Sequence, residues 1–342
     1  MTESIFDLLN GVQKENTTDP NSRVLIIDGL NLYLRVFAVN GMLNDRGVPV
    51  GGVMGFLKSL AYSIREVNPT RVIVVYDGEG GSQRRRKILP NYKANRKPGK
   101  RITRWDAFKD AKEEKASMKE QFSRLLEYMD SLPINVIAID RIEADDTIAY
   151  IANNLLEKEV TIMSADQDFL QLVDERITVW SPIKKKFYTP ELVLKDYGVP
   201  AHNFLMYKIL MGDKSDNLEG VKGLGPKKLP KILPDISSNP LDLDFILDYA
   251  SKGTEPMHKR IVESIDQLTL NEKMMDLKNP PISGELKLLI RKLTSQPINL
   301  LSSNSFNTMY TDDQMGNAID IPDVWLKQHF TRLNSYAKAT HE

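Results

Sequence analysis

Four short apolar runs, each closed by acidic residues, restrict this chain more than any other feature of it. Asp28 follows Val24-Leu25-Ile26-Ile27, and Asp77 follows Val72-Ile73-Val74-Val75-Tyr76. Asp140 and Glu143 follow Val136-Ile137-Ala138-Ile139, and Asp166 with Asp168 follows Val160-Thr161-Ile162-Met163-Ser164-Ala165. Runs this short, β-branched and bounded by polar residues read as buried strands of a parallel sheet. Parallel strands end on one side, where ligands of such sheets gather, so the acids are expected to converge. Two carboxylates about 4 Å apart repel by roughly 4 kcal/mol at an effective dielectric of about 20. A cluster of them needs a counter-charge, and a hard divalent cation is the natural one.

The chemistry left open is narrow. With 342 residues the chain can bury at least one sizeable core, as two structural units or one domain with a large insertion. It has no cysteine, which excludes disulfides, zinc-thiolate sites and thiol nucleophiles and fits a reducing compartment. His202, His258, His329 and His341 are scattered, without the spacing of a histidine metal site or a Ser-His-Asp arrangement. Any metal is therefore expected on oxygen ligands. The N-terminus lacks a cleavable apolar stretch, and no run approaches the roughly 18 apolar residues of a membrane span. The expectation is a soluble cytoplasmic monomer, in the host cytoplasm if phage-encoded.

Segments 53–67, 119–131 and 145–157 carry helical patterns between the strands, so 23–204 reads as an α/β core with helices on both faces of a mostly parallel sheet. Residues 1–22 form an apolar-acidic segment and a polar linker. A charged insertion at about 84–120 interrupts the alternation, with Pro90 and Pro98 breaking its first half. Beyond it, 205–300 turns helical with glycine-rich turns, and 301–342 combines a polar loop with a last amphipathic helix at 324–337.

Glu143, Asp145 and Asp146 open a helix, where the dipole favours negative charge, and ordinary capping accounts for one or two of them. Asp166 and Asp168 lie two apart after a strand, and Asp213 and Asp216 sit at the turn Gly212-Asp213-Lys214-Ser215-Asp216-Asn217. With Asp28 and Asp77 they make nine candidate metal ligands. Any one of them alone reads as a cap or turn residue. The set at successive strand ends suits two Mg²⁺ or Mn²⁺ ions about 3.5–4 Å apart, which create a nucleophile from water and stabilise a phosphoryl group.

Total charge is balanced, with 46 basic and 46 acidic residues, but its distribution is not. From Arg84 to Trp105 there are ten cations and no acid, enough to attract phosphate locally. Arg84, Arg85, Arg86, Lys87, Lys93, Arg96 and Lys97 stand beside the ring of Tyr92. Cations of this kind neutralise backbone phosphates, and rings stack on unpaired bases. Gly220-Val221-Lys222-Gly223-Leu224-Gly225-Pro226-Lys227-Lys228 is a tight turn opening toward a helix, whose amides suit a phosphate. It is not a Walker A loop, because Pro226 stands where lysine should follow the glycine.

Together these segments resemble the flap endonuclease and 5′ to 3′ exonuclease family, whose members include the 5′-nuclease domain of bacterial DNA polymerase I and phage ribonuclease H. The motifs are Ile27-Asp28-Gly29, Tyr76-Asp77-Gly78, Tyr92-Lys93-Ala94-Asn95-Arg96, Glu143-Ala144-Asp145-Asp146, Ser164-Ala165-Asp166-Gln167-Asp168, the Gly212 to Asn217 turn and the Gly220 to Gly225 turn, in the family's order. Trp180-Ser181-Pro182-Ile183-Lys184-Lys185-Lys186 and the polar C-terminal region are most similar to the ribonuclease H of T4-like phages.

The resemblance implies a PIN-like fold and a two-metal hydrolase acting on 5′ flaps, duplex DNA and RNA-DNA hybrids, removing primers in replication. It implies that Asp28, Asp77, Glu143, Asp145 and Asp166 surround one ion, that Asp166, Asp168, Asp213 and Asp216 surround the other, some through water, and that Asp146 supports the cluster. Lys93 and Arg96 match the cations that steer and polarise the scissile phosphate. The insertion matches a helical arch, with Arg84, Arg85, Arg86, Lys87, Tyr92 and Lys97 facing nucleic acid. The glycine turn, with Gly223, Gly225, Lys227 and Lys228, matches a helix-hairpin-helix contact with duplex that often holds a monovalent cation such as K⁺. Pro230 and Pro234 predict a short or distorted second helix there.

Other readings of the same residues are a non-catalytic branched-DNA binding protein of this fold and a single-strand endonuclease of the wider PIN-like class. Ser4-Ile5-Phe6-Asp7-Leu8-Leu9 resembles the clamp-binding peptides of phage replication proteins, a plain packing helix being the alternative. The segment at 324–337 reads first as core packing and second as a contact for a single-strand-binding protein.

Overall fold

The computed structural model describes residues 19–94, 101–106 and 108–341. The four acid-closed runs are strands β1 (Arg23–Asp28), β2 (Arg71–Asp77), β3 (Asn135–Ile139) and β4 (Glu159–Met163), joined by β5 (Ile177–Ser181) and β6 (Lys186–Tyr188). The order is β3-β2-β1-β4-β5-β6, with the first five strands parallel and β6 antiparallel to β5. This is the mostly parallel α/β sheet expected. From β1 the chain moves outward to β3, then crosses back to β4, so the winding reverses between β1 and β4. That reversal leaves a crevice beyond the carboxyl ends of those two strands.

Side chains along each strand alternate between two cores. Leu25, Ile27, Val72 and Val74 face one, and Val24, Ile26, Ile73 and Val75 face the other. The helices are α1 (Gly29–Val39), α2 (Gly51–Val67), α3 (Gln83–Ile88), α4 (Ala111–Asp130), α5 (Ala144–Tyr150), α6 (Pro190–Tyr197) and α7 (Phe204–Met211). They continue as α8 (Leu229–Ile232), α9 (Leu243–Lys252), α10 (Pro256–Glu263), α11 (Ile265–Met275), α12 (Gly284–Thr294), α13 (Ser303–Asp312) and α14 (Pro322–Ala339). The first core takes side chains from α1, α2, α4, α13 and α14, and the second from α5 and α12. A third core, built by α7 through α11, also receives Tyr92 from the basic segment.

Three details depart from or sharpen the sequence reading. The helix expected over 145–157 is α5 followed by a wider π turn at Ile151–Leu155. The expected polar loop is helix α13, capped by Ser302, because Phe306 and Tyr310 lie one turn apart and both bury in the first core. Its average polarity hides one apolar edge. Helix α8 is four residues long and gives way to a 3₁₀ turn at Pro234–Ser237, as the prolines dictate. Among the described residues no helix is long and apolar enough to cross a membrane.

Candidate metal centre and nucleic-acid face

Asp28, Asp77 and Asp166 are set by the carboxyl ends of strands. Asp28 ends β1 and caps α1, accepting from Asn31 N at 3.1 Å and from Ser164 Oγ at 2.9 Å. Asp77 ends β2, and its Oδ1 accepts the backbone N–H of Ala144, at the start of α5, at 2.6 Å. Gly78 lets β2 and β3 close together there, since a Cβ would lie 2.3 Å from the Ile139 carbonyl carbon. Asp166, after β4, accepts from Asp168 N at 2.9 Å. Asn31 Oδ1 accepts from Ala165 N at 3.3 Å, tying the β4 end to α1.

Burial and mutual repulsion act on the ionisation of these acids. Burial, then the charges of Asp166 and Asp77, push the Asp28 carboxyl up to about 6 against its hydrogen bonds. Asp145 is held well above the usual carboxylate range by burial and by Asp28 and Asp166, which outweigh the pull of Lys93. Burial and Asp166 raise Asp168 to about 7 despite Lys208 beside it. Asp213 goes the other way: burial opposes ionisation, but Lys208 and Ser215 overcome it and bring the carboxyl down to about 2.

Internal cations hold the remaining acids. Arg85 Nη1 lies 2.7 Å from Glu143 Oε2, and its Nη2 lies 2.7 Å from Asp146 Oδ1. Lys93 Nζ is 3.0 Å from Glu143 Oε1, and Tyr92 Oη donates to Glu143 Oε2 at 3.2 Å. Lys208 Nζ is 2.8 Å from both Asp168 Oδ1 and Asp213 Oδ2. Asp216 N donates to Asp213 Oδ1 at 3.4 Å, and its carbonyl accepts from Lys93 N at 3.3 Å. Among the described residues, no three acidic or histidine side chains stand as a ready-made cage for an ion.

The basic segment divides. Arg85 and Tyr92, expected to face nucleic acid, are only 4% exposed and turn inward, so neither offers a contact as it stands. Arg85 Nε donates to Met274 O at 3.0 Å, joining α3 to α11, and Tyr92 packs in the third core. Arg86 and Lys87 are exposed and Arg84 half-buried. Arg96 and Lys97 lie outside the described residues. Lys93 has a left-handed backbone, φ 56°, which swings its side chain toward Glu143. Burial lowers its pKa, but Glu143, Asp145 and Asp216 raise it further, so the ammonium stays charged.

At the glycine turn Gly223 has φ 84°, a conformation that glycine adopts without strain. Arg260 Nη1 donates to Lys222 O at 3.2 Å and Lys228 Nζ to Gly223 O at 3.1 Å. Lys227 and Lys228 are exposed and Gly225 half-buried.

Residues 23–198 match the model of the 5′-3′ exonuclease N-terminal resolvase-like domain. The 5′-3′ exonuclease of Bacillus subtilis is 30% identical over 78% of this chain and 87% of its own length. The chain belongs to the 5′-3′ exonuclease family. Thermostable DNA polymerase I of Thermus aquaticus is 32% identical over 74% of the chain, which spans only 28% of that enzyme. Two solved structures share the fold at 20% identity and TM-score 0.62, covering 85% of the chain: bacteriophage T5 5′-exonuclease with zinc, which is covered over 98%, and the T5 flap endonuclease with DNA and metal ions, covered over 97%.

The donors suit a hard divalent cation. All are oxygen, as a hard divalent cation prefers, and Asp28 is met by an amide and a hydroxyl among the described residues. Sequence reading missed Arg85 as a counter-ion and missed Lys208 altogether. A signal for Lys208 was present: it is the one charged residue of the otherwise apolar α7, FLMYKILM. Ser164 and Asn31, which orient the β1 and β4 ends, carried no comparable signal.

Proposed function

We propose that this chain is a divalent-metal-dependent 5′ to 3′ nuclease that hydrolyses phosphodiester bonds near 5′ ends of RNA-DNA hybrids, duplex DNA and 5′ flaps, removing primers in replication. The observation that carries the proposal is the convergence of Asp28, at the end of β1, and Asp166, just after β4, on the crevice where the sheet reverses, the Ser164 hydroxyl donating to Asp28 at 2.9 Å and accepting from Asp166 N at 3.1 Å. In this reading Asp28, Asp77, Glu143, Asp145 and Asp166 hold one Mg²⁺ or Mn²⁺, and Asp166, Asp168, Asp213 and Asp216 a second, with Asp146 in support. When bound, such ions supply an activated water and charge stabilisation for the departing oxygen. Lys93, already at the crevice, steers the phosphate, with Arg96 assigned beside it. Arg84, Arg86, Lys87 and Lys97 draw in the 5′ strand, while Gly223, Gly225, Lys227 and Lys228 meet the duplex.

The proposed division is a nuclease core at 23–204 with its arch at about 84–120, duplex contacts in 205–300, and a covering segment at 301–342. A K⁺ ion at the glycine turn has to compete for the Lys222 and Gly223 carbonyls with Arg260 and Lys228. The protein is assigned as a cytoplasmic monomer. Its partners are the sliding clamp, through the segment containing Ile5 and Phe6 outside the described residues, and a single-strand-binding protein. Since α14 buries Leu326, Phe330 and Leu333, the latter is left only the outward side of that helix.

The test is cleavage of a 5′-labelled flap and an RNA-DNA hybrid with Mg²⁺ by wild type, Asp166→Asn and Asp168→Asn proteins. Wild-type rates in both variants would refute the assignment, and binding without any cleavage by the wild type would favour the non-catalytic alternative.

A further inference from the structure

Lys208 stands inside the group of acids assigned to the second ion. It is 9% exposed, and α7 places its ammonium 2.8 Å from Asp168 on one side and 2.8 Å from Asp213 on the other. The two acids come from different elements, Asp168 from the turn after β4 and Asp213 from the short strand β7 (Gly212–Asp213) after α7. An ammonium is a compact point charge with three donors, suited to bridging oxygens from separate segments. A buried charge of this sort persists only because it is paired.

The inner acids differ. Asp28 is met by an amide and a hydroxyl, and Lys93, whose charge acts on Asp145, is engaged with Glu143. Among the described residues, a resident ammonium therefore bridges the acids at one end of the constellation, while Asp28 at the other end is met by neutral donors.

The geometry points to Lys208 as the resident counter-ion of the Asp168–Asp213 end, so that a divalent ion enters that end only by displacing the ammonium. The two ions then bind with unequal affinity, the inner one tightly and the outer one weakly. Lys208 is thus a positioning residue that keeps the outer ligands together until the ion arrives. This rests on the metal-dependent reading above.

Mn²⁺ titration of the full chain, followed by the electron paramagnetic resonance signal of free Mn²⁺, tests it with wild type, Lys208→Met and Lys208→Arg. Wild type is expected to show one tight and one weak event. Lys208→Met should tighten the weak event by about tenfold, equivalent to about 1.4 kcal/mol, and leave the tight one in place, while Lys208→Arg keeps it weak. A weak event unmoved or loosened in Lys208→Met overturns the inference. Absence of the tight event in wild type instead overturns the metal-dependent reading itself.

A second measurement needs no variant. An amine-reactive label, mapped by mass spectrometry on the wild type, should spare Lys208 without metal and modify it at saturating Mn²⁺. Equal protection in both states also overturns the inference.

Discussion

Arg85 grips Asp146 with both terminal nitrogens, Nη2 at 2.7 Å from Oδ1 and Nη1 at 2.8 Å from Oδ2, while Nη1 also reaches Glu143. A guanidinium matches a carboxylate in this two-point way, and here one arginine from the basic segment neutralises two acids of the site. Removing it strands both carboxylates in a buried place. Arg85→Met is expected to lower folding stability by about 3–5 kcal/mol. Its exposed neighbour behaves differently: Arg86→Ala should stay within about 0.5 kcal/mol yet weaken binding to flap DNA and lessen its salt dependence. Denaturant midpoints and salt-dependent binding curves on the two variants check this.

The metal-free protein should lose stability as pH rises from about 4 to about 7. Asp28 near 6 and Asp168 near 7 hold protons in the folded state that their unfolded counterparts have already released. Ionising them in the fold costs free energy, so melting temperature falls through that window. Asp213, held near 2, has the opposite sign: its contribution is present above about 4 and is lost as pH falls toward 2. Saturating Mg²⁺ should flatten the decline between 4 and 7. Melting curves with chelator and with Mg²⁺ test this, and parallel curves would count against a shared cation site.

Lys93→Ala should slow single-turnover cleavage by about 10²-fold while leaving the Kd for flap DNA nearly unchanged. The reason is placement: its ammonium lies against Glu143 at the crevice, not on an outer surface. Comparable losses in rate and affinity would assign it to capture instead.

Phe306→Ala should cost about 3–5 kcal/mol, measured by chemical denaturation. The ring is fully buried and packs edge-on to Tyr128 at 5.1 Å, with Trp325 at 5.8 Å. A loss below about 1 kcal/mol would mean that α13 is not part of the first core.

Much of this was readable beforehand because burial on both faces of a sheet leaves an unmistakable trace. Val24 to Ile27 and Val72 to Val75 are apolar at every position, so strand, parallel pairing and the location of Asp28 and Asp77 follow together. What escaped depends on tertiary partners. Ser303–Asp312 is polar on most sides, and only the packing of Phe306 and Tyr310 reveals its helix. A run of arginines likewise does not disclose which member turns inward; Arg85 does so because Glu143 and Asp146, 58 and 61 residues further on, lie beneath it. The same blindness concealed Lys208, whose acids belong to two other elements.

The burial of Phe306, Leu326 and Phe330 against the β1–β2 side of the sheet has a bearing on synthesis. Every acid of the crevice leaves the ribosome before the covering helices do. A polypeptide arrested ahead of Pro322 would contain every candidate ligand but lack Leu326, Phe330 and Leu333, leaving that side of the first core uncovered.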